Sequence, residues 1–132
     1  MFLKLDLQSE TPIYMQLKMQ IIEGMATGQL APGEPLPSVR QLAADLGINL
    51  HTVNKAYTLL KHDGFIIIHR QKGVVVNSEN SLKVSDEYLA QLKSSMRHII
   101  AEAFCRGMEV DEFNKVCRDI FYEFGNAGGK NL

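Results

Sequence analysis

No stretch of this chain is apolar for anything near the roughly 18 consecutive residues that a membrane-spanning helix needs, which sets the integral helical membrane classes aside. Residues 1–10, MFLKLDLQSE, have no basic region followed by a long apolar run, so no secretory signal is expected and the cytoplasm is the expected compartment. Cysteine is scarce. Cys105 and Cys117 form neither a CxxC pair nor a Cys/His zinc spacing. They read as small apolar residues on helix faces; a redox pair is the alternative, and it requires two helices to bring the thiols together. Catalytic signatures are also missing: no Gly-rich phosphate loop after a strand, no HExxH, no GxSxG and no paired carboxylates with an evident role. His98 sits one turn before Glu102, but a lone His/Glu pair on a helix is far more often surface than metal site. Neither an enzyme, nor a cofactor, nor a metal is expected.

A charge excess is lacking too. The net charge of −1 gives no bulk argument for a nucleic-acid partner. Distribution says more: residues 1–78 carry seven Lys/Arg against six Asp/Glu, plus three histidines, whereas residues 79–132 carry seven against nine. An anionic partner would then need the few cations to share one face. There is no internal repeat and no low-complexity tract. The 132 residues, 45% hydrophobic and 22% charged, suit one core, or a small domain with an appendage.

What is present is concentrated between Leu36 and Val76. Ser38 can cap a helix, with Gln41 completing a capping-box pattern, and Val39, Leu42, Ala43 and Leu46 form its buried side. Gly47 suits a left-handed helix end, Ile48 plugs the turn, and Asn49 caps a further helix that runs to about Asp63. Val53, Ala56, Tyr57 and Leu60 form the apolar face of that helix. Two β-branched or aromatic runs, Phe65 to Ile68 and Val74 to Val76, flank a basic turn ending in Gly73 and predict a hairpin. An earlier helix is expected from Thr11-Pro12 to about Gly28, with Ile13, Leu17, Ile21 and Met25 as its stripe and Tyr14 and Ile22 widening it. Residues 30–37 read as a loop, because Pro32, Pro35 and Pro37 deny it helical hydrogen bonds.

The pattern is mainly α with a small β-wing: a winged helix-turn-helix whose second helix enters the major groove of DNA. Base edges are read by polar residues near the start of that helix. Here those are Asn49, Leu50, His51, Thr52, Asn54 and Lys55. His51 and Asn54 suit base edges, the Asn amide matching adenine, and Leu50 suits a thymine methyl. Thr52 suits support of the first turn or a phosphate. Arg40 and Lys55 suit phosphates or bases, and His69, Arg70, Gln71 and Lys72 a minor groove. Thr58, Lys61 and His62 read as solvated surface, and Tyr14 and Tyr57 as core.

Residues 12–76 resemble the GntR family of bacterial winged-helix regulators. The elements P-x-Y-x-Q-[IL], G-x-L-x-P-G-x-x-L-P-S-x-R-x-L-A and L-G-[IV]-N-x-x-T-V occur in order and at the family's spacing over about half the chain. The short tail and the NxxTVxKAYxxL run from Asn49 to Leu60 resemble the short YtrA-type subgroup. The resemblance implies a dimeric repressor, often beside transporter genes, with DNA contacts at Arg40, Asn49, Leu50, His51, Thr52, Asn54 and the wing near Lys72-Gly73. Many relatives carry Arg where Leu50 and Asn54 stand here. Losing an Arg removes a bidentate guanine reader, so a different, more A/T-rich operator is expected.

The division expected is 1–77 as the DNA-binding domain and 78–132 as linker plus helical dimerisation segment. Residues 77–85 read as linker and 125–132 as a frayed end. Two helices lie between, the second entered near Gly107. Leu92, Met96, Ile99, Phe113, Cys117 and Phe121 are expected at a homodimer seam, since so small a pair cannot make a large private core; packing of the apolar stripe back on the N-terminal helix is the alternative cover. The bound partner is then double-stranded operator DNA, palindromic if the dimer is two-fold. A small-molecule effector stays open, with no polar cluster naming one. The rival reading is a winged-helix protein-interaction module without sequence-specific DNA binding.

Overall fold

The first helix starts one residue later than the Thr-Pro signal suggests. In the computed structural model, which describes residues 3–78 and 82–126, helix α1 spans Ile13–Ala26 and Pro12 is its N-cap, still extended with ψ at 148°. No side chain caps this helix. The Thr11 carbonyl instead accepts from Gln16 Nε2 at 2.8 Å. Gln16 and Gln20, one turn apart, use their amides as a strand edge would. Gln16 pairs with the backbone N–H and carbonyl of Asp6, and Gln20 does the same with Lys4. The N-terminal segment is thereby strapped along α1, with Leu3 and Leu5 packed on the core. Leu17 and Ile21 are fully buried. Gly24 is buried beside them because a Cβ there would meet Leu30 Cδ1 at 3.0 Å, so glycine lets the returning chain close on the helix.

Helix α2 spans Val39–Leu46 and α3 spans Leu50–His62. Their boundaries follow local chemistry. Ser38 Oγ accepts from Gln41 N at 3.1 Å. The reciprocal half of the expected capping box is not made: Gln41 Nε2 donates to Asp45 Oδ1 at 2.7 Å, a partner one turn along the same face. Gly47 takes the left-handed conformation at φ 66°, which costs a residue with Cβ on the order of 1 kcal/mol. Ile48 N then returns to Ala43 O at 3.0 Å, and its half-buried side chain packs against the core, as expected.

Strands β1 (Ile66–His69) and β2 (Gly73–Val76) pair antiparallel, with Ile66 opposite Val76 and His69 opposite Gly73. β1 lies one residue beyond its expected span, and β2 begins one residue before its expected start. The proline-rich segment before α2, expected as plain loop, adds a ladder to the other edge of β2. Gly33 N reaches Val76 O at 2.9 Å, Val76 N reaches Glu34 O at 2.9 Å, and Leu36 N reaches Val74 O at 2.8 Å. Pro35 sits opposite Val75, where an edge position tolerates a residue with no N–H. The wing base and the entry to α2 are thus tied together.

The core comprises Leu17, Ile21, Leu30, Leu36, Leu42, Val53, Tyr57, Leu60, Ile66 and Val76, with Ala43 and Ala56 between them. Each large apolar side chain so buried contributes about 1.5–3 kcal/mol. Helix α4 (Asp86–Cys105) is capped by Ser85 Oγ, which accepts from Tyr88 N at 3.0 Å. Gly107 turns the chain at φ 82° into α5 (Val110–Asn126). No described residue of α4 or α5 joins the core. Residues 79–81 of the expected linker and 127–132 of the expected frayed end lie outside the described residues. Among the described residues no helix is long and apolar enough to cross a membrane.

Candidate DNA-binding surface

The apolar stripe of α3 faces inward, so its remaining positions must face out. Val53, Ala56, Tyr57 and Leu60 are buried; Leu50, His51, Asn54, Lys55 and Thr58 are exposed. Arg40, on the first turn of α2, lines one shallow concavity with Val39, Leu50, His51 and Asn54. The helix-turn-helix therefore brings a guanidinium, an imidazole and a side-chain amide to one surface, although Arg40 and Asn54 are 14 positions apart in the sequence.

Not every expected residue is equally available there. Asn49 Oδ1 accepts from His51 N at 2.8 Å, which caps α3; its amide nitrogen remains for another partner. Thr52 is half-buried, which suits its expected support of the first turn. Arg70, Lys72 and Gly73 are exposed at the wing tip. His69 Nδ1 accepts from Gln71 N at 3.1 Å and Lys72 N at 3.2 Å, so the imidazole folds the tip on which the two cations are exposed. Asn54, Thr58 and Lys61 line a groove whose other wall is Ile67, Ile68 and Val74 of the wing. Thr58 and Lys61, expected as plain surface, are exposed but border the site.

One contact escaped sequence reasoning. The Lys55 ammonium stands over the Tyr14 ring, 4.0 Å from its centroid. Tyr14 does pack on the core, but only half-buried, and its free face is a cation platform. The apolar spacing of α1 placed Tyr14 on the stripe's margin; only the crossing of α1 and α3 places Lys55 above it.

Tyr57 lies directly behind the reading face. It is 3% exposed, and its hydroxyl donates to the Pro37 carbonyl at 2.7 Å. Burial pushes its phenol up to about 12. The neutral form is therefore favoured in the folded state. Its contribution to stability is complete below the unfolded value of about 10 and is lost as pH rises through the folded value. Between those limits the wild type should lose thermal stability faster than Tyr57→Phe. Melting curves across that range check this, and parallel declines would clear Tyr57 of the effect.

Elsewhere the chemistry is sparse. Among the described residues no group of three or more His, Cys, Asp or Glu side chains is arranged to hold a metal ion. Glu102, considered with His98, is instead engaged by Arg106 Nε at 3.3 Å. Cys105 is exposed and Cys117 half-buried, both as free thiols.

Residues 11–76 match the family model of bacterial regulatory proteins, gntR family. Over 128 residues, 97% of each chain, the sequence is 30% identical to the HTH-type transcriptional repressor YtrA of Bacillus subtilis. The crystal structure of a transcriptional antiterminator from Listeria monocytogenes EGD-e superposes over 100% of this chain and 97% of its own, with a TM-score of 0.85 at 26% identity. A second solved relative, the GntR-family transcription factor YtrA from Sulfolobus acidocaldarius, is 44% identical, with a TM-score of 0.56 over 89% of this chain and 96% of its own.

Proposed function

Since this chain belongs to the GntR family of bacterial regulatory proteins, and is thus a DNA-binding regulator of transcription and not an enzyme, we propose that it acts as a cytoplasmic homodimeric repressor reading a palindromic operator. The observation that carries the DNA-reading half is the single surface shared by Arg40, Leu50, His51 and Asn54. A helix start bearing an imidazole, an amide and an apolar tip fits base edges in a major groove, and Arg40 beside it fits a phosphate or guanine. Asn49, Thr52 and Lys55 complete the helix contacts, while Arg70, Lys72 and Gly73 address the adjacent minor groove.

Residues 1–77 form the reading unit in this proposal, and 78–132 the linker and dimerisation segment. Leu92, Met96, Ile99, Phe113, Cys117 and Phe121 contribute to the seam. Three of these six are exposed, Leu92 at 40%, Ile99 at 55% and Phe121 at 60%, and Met96, Phe113 and Cys117 are half-buried. A two-fold dimer sets two α3 helices in successive major grooves, about 34–36 Å apart. Transporter genes are the targets that the short subgroup implies.

The test is binding to the protein's own upstream promoter region across a salt series, with random DNA as competitor. Tight, selective binding that weakens with salt is expected. Loss of selectivity would instead favour a winged-helix module that docks protein. Arg40→Ala and Lys72→Ala should weaken binding to all DNA and lower the salt slope by about 1 each. His51→Ala and Asn54→Ala should cost about 1–3 kcal/mol on the operator and much less on random DNA. Equal losses on both duplexes would remove these two as base readers.

A further inference from the structure

Lys55 occupies the flank of α3 that faces α1, whereas Asn54 and Thr58 border the groove on the wing side. No carboxylate pairs with it among the described residues. Its described polar partner is an aromatic face, and the ring is held by packing on the core. We propose that Tyr14 is a positioning residue for DNA binding: its ring face holds the Lys55 ammonium at the margin of the reading surface, where it meets a phosphate of the major-groove wall. The inference rests on the reading of α3 as the DNA-reading helix.

The chemistry explains why a ring serves better here than a carboxylate. An aromatic face attracts a cation through its quadrupole. It does so without neutralising the charge that a phosphate is to meet, and the ammonium's N–H donors can still turn to phosphate oxygens. A lysine in open solvent must give up much of its rotamer freedom on docking. One already resting on a fixed ring has less to lose. The contact is therefore expected to raise affinity for any duplex, not to choose among sequences.

Full-length wild type, Tyr14→Phe, Tyr14→Leu, Lys55→Met and the Tyr14→Leu/Lys55→Met double variant are to be titrated against two fluorescent duplexes. One is the upstream promoter region and the other a random sequence at low salt; circular dichroism melting monitors folding. Tyr14→Leu should weaken binding about two- to five-fold on both duplexes, the range of an exposed cation–π contact. Tyr14→Phe, which keeps the ring, should bind as wild type. In the Lys55→Met background Tyr14→Leu should change nothing further. Equal weakening in both backgrounds would overturn the proposal, since Tyr14 would then act only as core support. Equal loss in the Phe and Leu variants would also overturn it, in favour of a hydroxyl contact. Wild-type affinity in Lys55→Met would sink this inference while leaving the His51 and Asn54 reading intact. Absence of wild-type binding to either duplex would bring both down.

Discussion

A Phe121→Asp variant should run at half the wild-type mass in light scattering at micromolar concentration, and should bind operator on the order of 10²–10⁴-fold more weakly. The reason lies in what α4 and α5 leave uncovered. Ile99 is 55% exposed, Phe104 78%, Phe121 60% and Tyr122 60%. Apolar surface gathered on so short a hairpin is costly in water and prone to aggregation unless another surface covers it. In the proposed homodimer a second copy supplies that cover with matched chemistry, and a carboxylate placed in the seam would have to be desolvated with no partner. The loss of affinity has a separate origin. In a dimer the second half-site binds intramolecularly, at an effective concentration set by the tether, and a monomer forfeits this gain without losing any single contact. The variant's DNA-reading domain should still melt cooperatively, because no described residue of α4 or α5 contributes to its core. An unchanged mass would place Phe121 away from the interface.

The largest stability effect is expected from Tyr57→Ala, at about 3–5 kcal/mol, the range for removing a buried aromatic ring. A domain of this size holds only about 5–15 kcal/mol in total, so the melting temperature should fall by well over about 10 °C. Tyr57 is almost fully buried and joins three elements. Its backbone is in α3, its ring is in the core, and its hydroxyl holds the Pro37 carbonyl at the entrance to α2. Removing it should therefore also loosen the relation between Arg40 and the α3 residues, and DNA affinity should fall at temperatures where the variant remains folded. Tyr57→Phe separates the two roles. It keeps the ring and drops one hydrogen bond, at about 1 kcal/mol. A Tyr57→Ala protein as stable as Tyr57→Phe would mean that the ring's burial contributes little.

The parts readable from sequence were those decided within a few residues. Ser38, Gly47 and Asn49 mark the ends of α2 and α3 because caps and left-handed turns are local chemistry. The inward stripe of α3 follows from periodicity, and with it the outward set from Leu50 to Lys55. Pairings between distant segments were not readable. The ladder of residues 33–36 on β2 hides behind three prolines that signal only loop. Gln16 and Gln20 look like ordinary polar helix positions until residues 4 and 6 lie beside them. Lys55 meets Tyr14 only where α1 crosses α3. Asn49 makes the expected cap through its side-chain oxygen, which accepts from His51 N, and so offers only its amide nitrogen to another partner. The tail shows the same limit from the other side: its helices follow from sequence, whereas the contact of α5 with α1 depends on how distant segments meet.

The confinement of the buried core to residues 17–76 also orders events during synthesis. Once Val76 has left the ribosome, every side chain of that core has been made, and domains of this kind fold as units from the N-terminus. The reading head can close before α4 and α5 are translated. In the proposed homodimer, pairing of subunits is then a late step between finished heads, directed by the tail. On that proposal, two regulators with unlike heads but compatible tails, made in one cell, would form mixed pairs, and divergence of the tail would keep them apart.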